Sequence, residues 1–115
     1  MAGGKRWTVH DRDGNSIYLS QERWTHIVGS DNHPELEDFE EHLKTTIRQG
    51  HRRQEPLNPR KFRYVVAFDD LPDDSNHVVA IVLFGFDIDD QGRTKANNFV
   101  ATAFFQHIRL QGERE

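Results

Sequence analysis

The sequence predicts a small α+β domain, with an N-terminal hairpin and two short helices followed by an antiparallel β-sheet. Three observations predict it. Leu36, Phe39, Leu43 and Ile47 recur at spacings of three, four and four, which is the apolar stripe of a helix. Phe62, Tyr64, Val66 and Phe68 alternate with Lys61, Arg63, Val65 and Ala67, the period of a strand with one apolar face. His77 to Phe86 is a long apolar run, suited to a central strand covered on much of both faces.

Each element has a local reason. Trp7–His10 and Ile17–Leu19 are short strand-like runs, and Asp13-Gly14-Asn15 between them is a turn sequence, giving the hairpin. Ser20 is placed to cap the first helix, which carries Trp24, Ile27 and Val28 and ends at Gly29. Pro34 opens the second helix, where its missing N–H costs nothing. Acidic residues fill the first turns of that helix and Arg48 its last, as the helix dipole prefers, and Gly50 closes it. An extended piece at His51–Glu55 leads into a Pro56–Pro59 loop. Asp69–Asn76 reads as a polar turn, Asp87–Lys95 as a hairpin loop, and Phe99–Phe105 as the last strand.

Length suits a single domain over 1–115, with a core from about 17 to 110 and flexible ends at 1–6 and 111–115. The chain is 35% hydrophobic and 30% charged, so its core is thin and leans on eight Phe and two Trp. The absence of cysteine excludes disulfides, thiolate metal sites and a Cys nucleophile, and fits a reducing cytoplasm. No apolar run approaches the ~20 residues of a membrane-spanning helix. MAGGKRW lacks the apolar stretch of a signal peptide, so a cytoplasmic protein is expected.

The net charge of −4 hides a polar distribution. Six acidic residues and no Lys or Arg lie between Asp31 and Glu41. Seven basic residues lie between Lys44 and Arg63, against Glu55 alone. Arg52, Arg53, Arg60 and Lys61 within that segment are candidates for meeting an RNA backbone. The plainer reading is two solvated faces, and the acidic sum argues against strong non-specific nucleic-acid binding.

The seven histidines show no metal-helix spacing, so no metal is expected. The loop beginning at Asp87 resembles the start of a calcium loop, but its twelfth position is Asn98, not the Glu such loops need. Thr102 lies inside an apolar strand, where a hydroxyl needs a partner or a purpose. Strand alternation puts it on one face with Asn98, Val100 and Phe104. A Thr hydroxyl, an Arg and one or two His around a concave sheet would suit RNA cleavage. A base takes the 2′-OH proton, an acid protonates the leaving 5′ oxygen, and Arg stabilises the charged phosphorane, without metal or cofactor. Equally, Thr102 bonds a neighbour, Arg63 is solvated, His33 caps a helix, and His26 is a partly buried residue.

Ile17-Tyr18-Leu19-Ser20, then Glu22-Arg23-Trp24-Thr25-His26-Ile27, then His33-Pro34-Glu35-Leu36, followed by Arg63-Tyr64 and a closing Phe99-Val100-Ala101-Thr102-Ala103-Phe104, resembles a group of phage- and toxin-associated proteins. That group belongs to the barnase/EndoU/colicin/RelE-like ribonuclease superfamily. The resemblance covers Ile17 to Leu110. It implies helices packed on one face of a four-stranded antiparallel β-sheet, and a metal-independent toxin-type endoribonuclease. It nominates His26, His33, Arg63, Tyr64 and Thr102 as site residues. RNA and an antitoxin or other protein are the implied partners. The chain departs from the group at Leu83-Phe84-Gly85, where relatives often carry a Lys. That departure, with the acidic helix face, supports a rival reading: a non-catalytic adaptor of the same fold that docks on a protein.

Overall fold

Six strands hydrogen-bond into one sheet in the computed structural model of the chain, which describes residues 4–109. In chain order these are β1 (Lys5–His10), β2 (Ser16–Ser20), β3 (His51–Glu55), β4 (Asn58–Ala67), β5 (His77–Leu83) and β8 (Phe99–Gln106). Between the last two, β6 (Phe86–Ile88) and β7 (Thr94–Ala96) form a separate two-stranded ladder. The helices α1 (Gln21–Ile27) and α2 (Glu40–Gln49) lie between β2 and β3, joined through a 3₁₀ helix at Pro34–Phe39. The spatial order of the large sheet is β1-β2-β8-β5-β4-β3. All its pairs are antiparallel except β2 with β8, which meet at Tyr18 and Phe99.

This corrects the expected four-stranded antiparallel sheet carrying a hairpin and two helices. The hairpin does not pack on the sheet; it joins it. Asn98 explains the junction: its carbonyl accepts from the Tyr18 N–H (3.0 Å) and its side-chain amide donates to the Ser16 carbonyl (3.0 Å). The extended piece at His51–Glu55 is a full edge strand, and the expected hairpin loop at Asp87–Lys95 carries a two-stranded ladder of its own, β6 with β7, turning at Gly92 with φ +79°. The expected second helix is split, because its Pro34–Phe39 half winds as a 3₁₀ helix. Of the ends expected to be flexible, Lys5 and Arg6 belong to β1; 1–3 and 111–115 lie outside the described residues.

Several local signals act as expected. Ser20 Oγ accepts from the Arg23 N–H at 3.0 Å and starts α1. Gly50 ends α2 where the chain turns directly into β3. A Cβ there would stand 2.5 Å from the Thr46 carbonyl, so a side chain would force the helix and strand apart.

The helices cover one face of the sheet, α2 over β4 and β5 and α1 over β2 and β8. Leu36, Leu43, Ile47, Trp24 and Ile27 come down onto Ile17, Leu19, Tyr64, Ala80, Val82, Val100 and Ala103, all buried. Large apolar side chains of this kind each contribute about 1.5–3 kcal/mol on burial. The hairpin is tied to this core through Asp11 in its turn. The carboxylate accepts from the backbone of Asp13 (3.0 Å) and Asn15 (2.8 Å), from the Asn15 amide (3.0 Å) and from the buried Tyr64 hydroxyl (2.5 Å). At the other end of β1, Glu40 binds the Arg6 guanidinium and accepts from Trp7 Nε1 at 2.7 Å.

Candidate functional site

Among the described residues no helix lies on the opposite face of the sheet, and that face gathers the polar residues. Cross-strand register sets Arg53 opposite Arg63, Arg63 opposite Ile81, and Ile81 opposite Thr102, so one row runs across β3, β4, β5 and β8. Neighbouring strands lie about 4.8 Å apart, so Arg63 and Thr102 sit roughly 10 Å apart at the backbone. The next row along β4 sets Lys61 opposite Leu83.

A bulge brings Thr102 to this face. Ile81 pairs with Thr102 but Val82 pairs with Val100, leaving Ala101 as the extra residue. Strict alternation would have put Thr102 with Val100 and Asn98. The bulge instead leaves Val100 in the helix-covered core and turns Thr102 and Phe104 to the open side. Bulges of this kind re-aim side chains and are frequent beside functional sites.

A hollow of about 530 Å³ lies on this face. Glu55, Lys61, Arg63, Thr102 and Phe104 line it, with Ile81 and Leu83 as apolar floor. A second hollow, about 690 Å³, lies on the other side of Arg63 and is lined by His51, Arg53, Val65 and Ile108 among others. Arg63 borders both. Its Nη2 donates to Gln106 Oε1 at 2.6 Å, so the guanidinium reaches across β5 towards β8. The side chains of Arg53 and Lys61 make no hydrogen bond, ion pair or ring contact among the described residues.

The nominated residues separate accordingly. Arg63 and Thr102 share the first hollow. Tyr64, one position from Arg63, points into the core on the helix side. Burial first, and then the Asp11 carboxylate, push its phenol well above the usual range, so it serves as a fixed hydrogen-bond donor. Asp11 shows the complementary balance. Burial works against its charge, but the bonds from Tyr64, Asn15 and Asp13 outweigh it and hold the carboxyl below the usual range. His26 is exposed on α1 and does not line the hollow. His33 stands before the 3₁₀ helix without a side-chain cap bond, its Nδ1 3.6 Å from the Glu35 carboxylate. Its ring lies 5.9 Å from that of Phe104, so it touches a wall of the hollow from outside.

The basic segment also divides. Arg52 lies over the rings of Phe62 and Phe84 on the helix side and pairs with Asp13 at 3.5 Å. Arg60 Nε donates to the Phe84 carbonyl at 2.9 Å and ties β4 to the segment after β5. Both have structural partners. Arg53, Lys61 and Arg63 are the cations left on the open face.

No family model, curated protein or solved structure matches the chain. Its own geometry is therefore what bears on function. Leu83, the first residue of the Leu83-Phe84-Gly85 stretch in which the resemblance leads one to expect a lysine, lines the first hollow beside its cross-strand neighbour Lys61. Glu55 is not among the nominated residues. The signal for it is its isolation as the one acid in a basic segment, on a strand that forms an edge of the sheet. Among the described residues no group of three or more His, Asp or Glu is placed to hold a metal ion. Among the described residues no helix is long and apolar enough to cross a membrane.

Proposed function

We propose that the chain acts on single-stranded RNA at the open face of its sheet, as a metal-independent endoribonuclease. The observation that carries this reading is that Glu55, Lys61, Arg63 and Thr102 line one hollow, with the ring of Phe104 beside them. A basic groove with an aromatic platform is what an unpaired strand needs, because cations meet the phosphates and a ring stacks a base. Cleavage follows from the same groups. Glu55 takes the proton of the ribose 2′-OH, and the 2′ oxygen bonds to phosphorus as the bond to the 5′ oxygen breaks. The leaving oxygen takes a proton from the Lys61 ammonium. Arg63 and the Thr102 hydroxyl donate to the phosphoryl oxygens as charge accumulates there. The products are a 2′,3′-cyclic phosphate and a free 5′-hydroxyl. The histidines of the helical half take no part in this scheme.

The test is cleavage of a fluorophore-quenched, unpaired RNA in EDTA, with analysis of the product ends. Glu55→Gln is expected to slow cleavage about 10²–10⁴-fold, the usual contribution of general acid–base catalysis. RNA left intact by the wild-type chain, or cut equally by Glu55→Gln, refutes the scheme.

A specific observation favours the rival reading of a docking module. Leu57, Phe86 and Ile88 are 97%, 75% and 67% exposed. Apolar surface of this kind suits a protein partner. Capture of a partner by a chain that leaves RNA intact, abolished by Phe86→Ser, would decide for that reading.

A further inference from the structure

The large sheet has two edges, and they are finished differently. β1 has α2 beside it, and its cations are partnered: Arg6 binds Glu40, and Lys5 lies 4.5 Å over the Tyr18 ring. β3 forms the other edge, and within the sheet β4 is its one neighbour. Its residues are exposed except Glu55, which is half-buried. Along an antiparallel strand, alternate residues turn both N–H and C=O to the same side, so β3 holds an outward row of both. Among the described residues no other element bonds to that row. An open row of this kind is a template for a further strand.

The charge along that edge is one-sided. His51, Arg52 and Arg53 line the second hollow in succession, so it runs along the strand, and no carboxylate lines it. Arg12 extends the basic surface, its Nη1 donating to His51 Nε2 at 2.6 Å. Two acids stand near: Asp13 pairs with Arg52 at 3.5 Å, and Glu55 lies past the register shift that follows Gln54. The side chain of Arg53 has no partner among the described residues. A second copy of the chain is a poor occupant. Antiparallel self-pairing centred here sets Arg52 against Arg53, or Arg53 against its own image. Parallel pairing in register sets each arginine against itself. Like charges directly opposite destabilise a sheet, so this edge rejects its own kind and favours a strand of opposite charge.

We infer that β3 is a docking edge for an acidic, extended segment of a partner protein, which adds to the sheet as a further strand. Successive side chains of a strand point to opposite faces. Two adjacent acids in that segment therefore meet Arg53 on the open face and Arg52 on the other. Main-chain hydrogen bonds supply the affinity, and the paired charges supply the choice of partner. This edge is separate from the exposed apolar residues of the β6–β7 hairpin, and its role holds whether or not the chain cuts RNA.

The experiment titrates the whole chain with three synthetic peptides, followed by NMR and amide hydrogen exchange. One carries Thr and Val around a central Glu-Glu pair, the second has Lys-Lys at the centre, and the third is the Glu-Glu peptide with its central backbone nitrogens methylated. The first is expected to slow exchange at alternate amides of β3, and the Lys-Lys peptide to leave them unchanged. Methylation should weaken binding about tenfold or more, the scale of a few lost hydrogen bonds. Arg53→Glu should weaken it about fivefold or more, the scale of one cross-strand charge pair, with an unchanged thermal midpoint showing that the variant folds. Equal binding of the methylated or the Lys-Lys peptide, or no slowed exchange in β3, overturns the docking edge. Shifts in β3 caused by unpaired RNA but not by the acidic peptide would assign the edge to nucleic acid and overturn it as well.

Discussion

The two faces of one sheet serve different ends, and the contrast shows where this chain keeps its stability and where it keeps its chemistry. On the helix side, Tyr64 and its neighbours on β5 and β8 are buried under α1 and α2, Phe62 packs half-buried beside them, and even the polar groups there are bonded. On the open side, the same strands carry Lys61, Arg63 and Thr102, with Arg53 beside them and little to neutralise the cations. A thin core satisfied on one face leaves the other free to bear unpaired charge. Folding does not need that charge, and the pair of arginines works against folding.

If that division is real, substitutions on the two faces should separate cleanly. The largest effect belongs to the helix side. Leu43→Ala removes a fully buried side chain beneath α2 and should cost about 2–5 kcal/mol, read as a lower urea midpoint. The folded fraction of that variant should still bind RNA as the wild type does. A weaker RNA affinity per folded molecule would blur the contrast.

Acid should act on the same side. Asp11 and Glu40 are held below the usual carboxylate range, Glu40 chiefly by its bond from Arg6. The native state therefore binds fewer protons than the unfolded chain wherever the unfolded carboxyls, near pH ~4, titrate. Their stabilisation is complete above that pH and disappears as pH falls through the lower native values. Denaturation midpoints should drop between about pH 6 and pH 3, and Asp11→Asn should show a shallower drop than the wild type. An equal drop in both would remove Asp11 from the account.

On the open face the expected stability effects are small. Arg63→Gln should shift stability by no more than about 0.5 kcal/mol, as for other solvent-facing positions. It should also flatten the salt dependence of RNA binding by about 0.7 in the log–log slope, the effect of leaving one phosphate without its cation. Smallest of all, His26→Ala should alter neither stability nor cleavage, because its ring reaches no group of the hollow.

The same contrast explains what is legible in the sequence. The helix-side face can be read directly, since alternation at Phe62, Tyr64, Val66 and the spacing of Leu36, Leu43 and Ile47 are consequences of burial. Ser20, Gly50 and the turn at Asp13-Gly14 can be read because capping and tight turns demand particular residues. The number of strands cannot. It depends on β2 meeting β8 through Asn98, a contact between residues 82 apart in sequence that no local pattern records. For the site, Arg63 and Thr102 are legible as candidates, but the sequence groups them with residues from other places. The bulge at Ala101 shifts the parity of β8, and a one-residue slip moves every side chain beyond it to the other face. The imidazoles of His26 and His33 sit in a motif that starts helices, and a motif says nothing about which side of a sheet its side chains reach.

The division of faces is tested most directly by NMR titration of the isotopically labelled chain with an uncleavable 2′-O-methyl RNA of unpaired sequence. Shifts are predicted at Arg53, Glu55, Lys61, Arg63, Thr102 and Phe104, with quiet signals from Leu43, Ile47 and the rest of the helix-side core. Shifts centred instead on the 3₁₀ helix and α2, or on the β6–β7 hairpin, would contradict it.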